Sequence, residues 1–279
     1  MRKDAYVADL VGAFGVPHNP HFPDLVRDGA PLGPEITRMY SAVSERLAAS
    51  EPDVVLFITS DHYNLFFETL PTFMIAIAES AVGPSDYPTI ARREVRIDVD
   101  LARDLHRHLV ASEFDVGCLQ ELSVDHAVIA PLSFIAAGWD LPIVPFFINA
   151  FLRPLPSAQR CFALGRALRE GIARHPAERV AVVASGSFSV EIGGPRVFED
   201  SHIGVPDPQW VDRVLELLAA ADIETLVRES TDEQLAAAGN AGGEILNWIT
   251  MLAMFDPRPP ATLDVQPAFG HAYASWPLT

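Results

Sequence analysis

Apolar and polar positions alternate between two regimes along the chain. Val54–Ile58, the run LPIVPFFINAF at 141–151 and ERVAVVASG at 178–186 are almost unbroken apolar stretches bounded by charged or turn-forming residues, the pattern of strands buried on both faces. Between them, EITRMYSAVSERLAA at 35–49 places apolar residues at helical spacing opposite a charged face, and Glu51-Pro52-Asp53 stops it. The same reading predicts a first strand over 5–14, a loop over GVPHNPHFPD, a strand at 73–77 and a charged helix at about 98–112. Further helices are expected in DHAVIAPLSFIAAG, at 157–174 and at about 208–220, 222–229 and 231–238. GNAGGEILNWITMLAMF turns a glycine-rich loop into a helix with Ile245, Trp248, Ile249 and Leu252 on one face. Strand and helix therefore alternate, which predicts an α/β fold with a central, mostly buried mixed β-sheet flanked by helices. With no internal repeat and no linker, residues 1–279 read as a single domain.

One stretch breaks the alternation. SGSFSVEIGGPRVFEDSHIGVPDPQW is rich in Gly and Pro and too long for an ordinary connection, so it is expected to cover or border a site. Composition narrows the partners. With 37 acidic against 20 basic residues the formal net charge is −17, which argues against nucleic acid or an anionic membrane surface. The two cysteines, Cys118 and Cys161, are too few for a disulfide framework in a chain of this size, so reduced thiols and a cytoplasmic location are expected. Asp4 and Asp9 interrupt any apolar leader, and no run reaches the ~18 apolar residues of a membrane span.

Four features carry candidate chemistry: His18 in a proline-flanked loop, Asp61-His62 where a buried strand ends, Asp125-His126 entering a helix, and Glu244 after two glycines. Two imidazoles and one carboxylate on one face of an ion are the ligand set of non-haem Fe(II) oxygenases, and His18, His62 and Glu244 supply those residue types. Each also has a plainer explanation. A loop histidine is commonly solvated, a glutamate in a first helical turn favours the helix dipole, and Asp125 is a ready N-cap. His21, His106, His108, His175 and His271 read as surface or packing residues, and Phe146, Phe147 and Trp248 as core.

The motifs VPHNPHF, SDHYNLFF, LPTFMIAIAES, SVDHAVIAPL, VPFFINAF, LPSAQRCFALGRAL, SGSFSVEIGGPR and AGGEILNW, in this order, resemble those of the class III extradiol ring-cleavage dioxygenases. That family includes the catalytic subunit of protocatechuate 4,5-dioxygenase and the dihydroxyphenylpropionate dioxygenases, and the likeness runs from about residue 5 to about residue 255. The resemblance implies that His18, His62 and Glu244 are metal ligands holding Fe(II), and that His126 lies beside the substrate. It also implies a small aromatic substrate, O₂ as co-substrate, and either a homo-oligomer or a complex with a small separate subunit.

One position departs from the family pattern. Relatives carry a histidine, the general base, where SGSFSVEIGG places Val190, and an isopropyl group cannot move a proton. Glu191 points the other way if the chain is extended there, so His202 on the same segment, or His126 in a double role, is expected to replace the base. A substrate with an already acidic hydroxyl, such as a hydroxypyridone, would need a base least. Arg153 and Arg196 are candidates for recognising a substrate carboxylate, or are surface ion-pair residues. Two other readings remain open at this level: a non-catalytic binding or scaffold protein on the same fold, and a metal-dependent hydrolase or lyase.

Overall fold

The structure, a computed structural model, describes residues 8–65, 70–176, 178–198 and 202–278. Strand β1 (Asp9–Val16) leads through a short helix α1 (Phe22–Arg27) to α2 (Gly33–Ala49) and then β2 (Val54–Thr59). Strands β3 (Phe73–Ala76), β4 (Ser80–Gly83) and β5 (Arg93–Arg96) precede α3 (Val99–Ala111), β6 (Val116–Leu119), α4 (His126–Ile135) and β7 (Ile143–Ile148). Helix α5 (Ala158–Ile172) and β8 (Arg179–Ser185) follow, then the two-residue strands β9 (Glu191–Ile192) and β10 (Ile203–Gly204). The chain finishes with α6 (Pro208–Ala220), α7 (Ile223–Glu229), α8 (Asp232–Ala237), α9 (Ile245–Leu252), β11 (Thr262–Gln266) and β12 (His271–Pro277).

Eight strands form one mixed sheet in the order β11-β12-β1-β8-β2-β7-β3-β6. Its centre, β1-β8-β2-β7, is parallel, whereas β12 runs antiparallel to β1 and β3 antiparallel to β7. Because successive side chains leave a strand on opposite faces, the continuous apolar runs feed two cores. Val54, Leu56 and Ile58 join the cluster under α5, α6 and α9, and Val55 and Phe57 join the one under α2 and α4. That double burial is why these strands read as unbroken apolar stretches.

The parallel centre also fixes where chemistry can gather. The C-terminal ends of β1, β2, β7 and β8 share one edge of the sheet, so the segments after them (17–20, 60–65, 149–152 and 186–190) meet there. Ligands in open parallel sheets bind at this edge.

Three details differ from the sequence expectation. The first strand is Asp9–Val16 rather than 5–14, and residues 5–7 lie outside the described residues. Part of the expected loop GVPHNPHFPD closes into α1, with Pro23 in its first turn and Phe22 buried. The pair β11-β12 adds an antiparallel edge beside β1, in register Gly15↔Ala274, that no sequence signal announced. HAYASWP is short and rich in Ala and Ser, so its burial comes from pairing with β1 rather than from its own hydrophobicity.

Candidate metal centre

His18 follows β1 in Pro17-His18-Asn19-Pro20, and Tyr40 steadies that loop by donating its hydroxyl to the Pro17 carbonyl at 2.8 Å. Ser185, the last residue of β8, donates its hydroxyl to the Ala127 carbonyl at 3.2 Å and so receives the His18 Nδ1–H at 2.7 Å. This leaves Nε2 of His18 directed to Glu244, whose Oε1 lies 3.0 Å away. His62 follows β2. Asp125 Oδ2 accepts from both its backbone N–H at 2.9 Å and its Nδ1–H at 3.0 Å, which points Nε2 inward, 3.5 Å from the same Glu244 Oε1.

Glu244 ends a one-turn 3₁₀ segment before α9 and is 1 % exposed. Its second oxygen accepts the Ser187 backbone N–H at 2.7 Å. Gly186 allows that approach: it takes φ +150°, and a Cβ there would meet Glu244 Cβ at 2.7 Å. Asp61 does not reach the ligand candidates with its carboxylate; it caps the loop by accepting from the Asn64 and Leu65 N–H groups.

His126 opens α4 behind its N-cap Asp125, which also accepts the Ala127 N–H. Asp86 accepts from His126 twice, from the backbone N–H at 3.0 Å and from Nδ1 at 2.5 Å. The His126 ring centroid lies 4.3 Å from that of His62 and 5.8 Å from that of His18. Donor atoms of the three histidines fall within 4.8 Å of one another, so the donors able to hold an ion are His18, His62, His126 and Glu244. Asp86, Asp125 and His126 also cluster, but their oxygens already serve the ring and backbone N–H groups of His62 and His126.

The electrostatics follow from burial against pairing. Burial opposes charge on His62, yet its hydrogen bonds to Asp125 and Glu244 and their charges outweigh it and raise the ring to about 10. Burial would likewise raise Glu244, but the charge and hydrogen bond of His18, with His62 behind them, hold it well below the usual carboxylate range. Asp125 is lowered in the same way, against burial, chiefly by His62. For His126, burial and the charge of His62 prevail over Asp86 and lower the ring, favouring neutral imidazole. A buried carboxylate between two imidazoles, each with its second nitrogen anchored, suits a divalent ion.

A small cleft of about 40 Å³ lies above these groups. Ser187, Val190, Ile192 and Ile203 line it, so the long segment after β8 does border the site. Val190 faces the cleft while Glu191 turns away, to Arg196 Nη2 at 2.8 Å and the Asn240 N–H at 3.0 Å. His202 is not among the described residues that line the cleft; it is exposed, and its backbone carbonyl accepts the Gly193 N–H at 2.8 Å. The next residue, Ile203 at the start of β10, lines the cleft.

Neither arginine candidate lines the cleft: Arg196 is tied to Glu191 and the Ala237 carbonyl, and Arg153 to Asp232. Two members of the site escaped sequence reasoning. Asp86 sits in GPSDYP, an ordinary turn composition, and His271 was taken as surface or packing but lines the cleft, 1 % exposed.

Comparison with known proteins agrees with this architecture. Residues 12–267 match the family described as "Catalytic LigB subunit of aromatic ring-opening dioxygenase". The chain belongs to this family. It is 28 % identical over 271 residues to the 2,3-dihydroxyphenylpropionate/2,3-dihydroxicinnamic acid 1,2-dioxygenase of Paraburkholderia xenovorans, covering 82 % of this chain and 84 % of the relative. It is 30 % identical over 179 residues to the gallate dioxygenase of Pseudomonas putida, covering 63 % of this chain and 49 % of that protein. Among solved structures, an uncharacterized protein of Escherichia coli K12 shares the fold, with a TM-score of 0.57 at 15 % identity over 95 % of this chain and 98 % of that one. Relatives of this chain are thus aromatic ring-cleaving dioxygenases.

Proposed function

We propose that the chain is an Fe(II)-dependent extradiol-type dioxygenase that inserts both atoms of O₂ into a catechol-like or hydroxylated heteroaromatic ring. The observation that carries the reading is the convergence of His18 Nε2 and His62 Nε2 on one oxygen of Glu244, at 3.0 and 3.5 Å, at the C-terminal edge of the sheet. Iron held by these three would supply the reaction between O₂ and the ring, which the protein's own groups cannot perform. His18 and His62 aim their inward nitrogens at Glu244 because Ser185 and Asp125 occupy the outward ones. His126, held by Asp86 and with its ring lowered toward the neutral form, is placed to exchange a proton with a substrate hydroxyl through Nε2. Val190, Ile192 and Ile203 give the cleft an apolar wall that excludes water from the ring.

The test is reconstitution with Fe(II) under anaerobic conditions, addition of candidate diols, then admission of air. O₂ uptake with a yellow ring-opened product is the expected result, abolished in Glu244→Gln. Retained uptake in that variant, or turnover without O₂, would sink the reading.

A further inference from the structure

His271 begins β12, paired there with Gln266 of β11, and its ring borders the same cleft as His18, Val190 and Glu244. Its neighbours fix which nitrogen carries the proton. Gln266 Nε2 donates to Glu35 Oε1 at 3.1 Å, so its amide oxygen faces inward. That oxygen accepts the Tyr273 hydroxyl at 3.2 Å and lies 2.9 Å from His271 Nε2. An amide oxygen only accepts, so Nε2 bears the hydrogen and Nδ1 is left with a lone pair. Among the described residues Nδ1 has no hydrogen-bond partner.

The ring is also held in place. Gly270, at φ +69°, accepts the Phe188 N–H at 2.7 Å and the Ser189 N–H at 3.3 Å, which docks the start of β12 against the segment carrying Val190. A Cβ on Gly270 would meet the Ser189 carbonyl at 2.1 Å, so the join is close. Phe22 and Phe269 cover the ring, at centroid distances of 5.5 and 5.7 Å.

Charge completes the argument. The charged groups facing His271 are His18 and Glu244 across the cleft and Glu35 behind Gln266, with Tyr273 beside it. Burial first, and His18 second, pull the ring down to about 3 against Glu244. None of the described residues lining the cleft is Arg or Lys. The curated relatives are named for acids, dihydroxyphenylpropionate and gallate, but among the described residues lining this cleft no Arg or Lys is present to pair with a substrate carboxylate.

We propose that His271 is a substrate-positioning residue whose Nδ1 accepts a hydrogen bond from a hydroxyl or ring N–H, and that the site selects an uncharged aromatic diol carrying such a further donor over a carboxylate-bearing one. This rests on the ring-cleaving reading above and names its substrate class. An acceptor in the cleft that a bound ligand shuts off from water without pairing it penalises ligands lacking the donor, and penalises a carboxylate more, since lone pair would face negative oxygen.

The test is anaerobic calorimetric titration of the full chain, with and without Fe(II), using catechol, pyrogallol, 1,2,4-trihydroxybenzene and protocatechuate. At least one triol should bind about tenfold more tightly than catechol, and protocatechuate at least about tenfold more weakly than that triol. In His271→Phe the triol-to-catechol ratio should collapse toward one; His271→Asn, which keeps an acceptor near Nδ1, should retain part of it. A ratio unchanged in His271→Phe, or protocatechuate binding as tightly as the better triol in the unaltered protein, would overturn the assignment while leaving the ring-cleaving reading standing. No iron-dependent binding of any diol would overturn both. The comparison of ligands on the unaltered protein decides the matter even if His271→Phe fails to fold.

Discussion

At the residue scale, His62 shows how one contact sets both metal affinity and pH response. Asp125 fixes its tautomer and charges the ring at the same time, at 3.0 Å. Asp125→Asn keeps an N-cap for α4 but removes the charge that orients His62, so Fe(II) affinity should fall by about 10–100-fold, read by calorimetry, and the melting temperature of the metal-free protein near neutral pH should fall as well. The proton held on His62 up to about pH 10 must leave when metal binds. The sign for the metal-free protein follows from linkage. A raised histidine contributes stability that is full below about pH 6.5 and is lost as pH rises to about 10. Glu244 and Asp125, both lowered, contribute above the ordinary carboxylate range and lose that contribution as pH falls. Melting temperature should therefore decline from about pH 6.5 toward 10, and His62→Ala should flatten that decline; an unchanged slope would contradict the assignment.

At the scale of elements, the site depends on how closely helices approach the sheet. Trp248 of α9 lies flat on β1 where a Cβ at Gly15 would meet its ring at 2.1 Å, and α5 approaches α9 so closely that a Cβ at Gly165 would meet the Thr250 carbonyl at 2.0 Å. Because α9 follows directly on Glu244, moving it moves a ligand candidate. Gly165→Ala should cost about 1–3 kcal/mol or more in chemical denaturation, the backbone carbonyl having no way to yield without shifting the helix. It should also weaken metal binding, although residue 165 touches no site residue. The central strands and the helices at 33–49, 99–111, 158–172 and 208–220 were legible because burial on two faces or one writes itself into period and run length. The β11-β12 pair was not, since its stability is borrowed from β1.

At the scale of the molecule, an ion held by His18, His62 and Glu244 would bridge the segments that follow β1 and β2 and the one that precedes α9. Fe(II) at a hundredfold excess over its Kd should add about 2.7 kcal/mol, a rise of roughly 5 °C in Tm, absent in Glu244→Gln. A shift preserved in that variant would place the ion elsewhere.

The sequence by itself determined the α/β alternation, and it set the expectations of ligand types at His18, His62 and Glu244 and of a valine at 190 where a histidine is expected, since each is written in local pattern or collinear motif. The tertiary structure alone decided which groups face one another. It left His202 exposed, closed Arg153 and Arg196 into ion pairs, and gave His126 its Asp86. It also carried His271 from the far end of the chain to the cleft, because pairing β12 with β1 is a long-range contact that no local periodicity encodes.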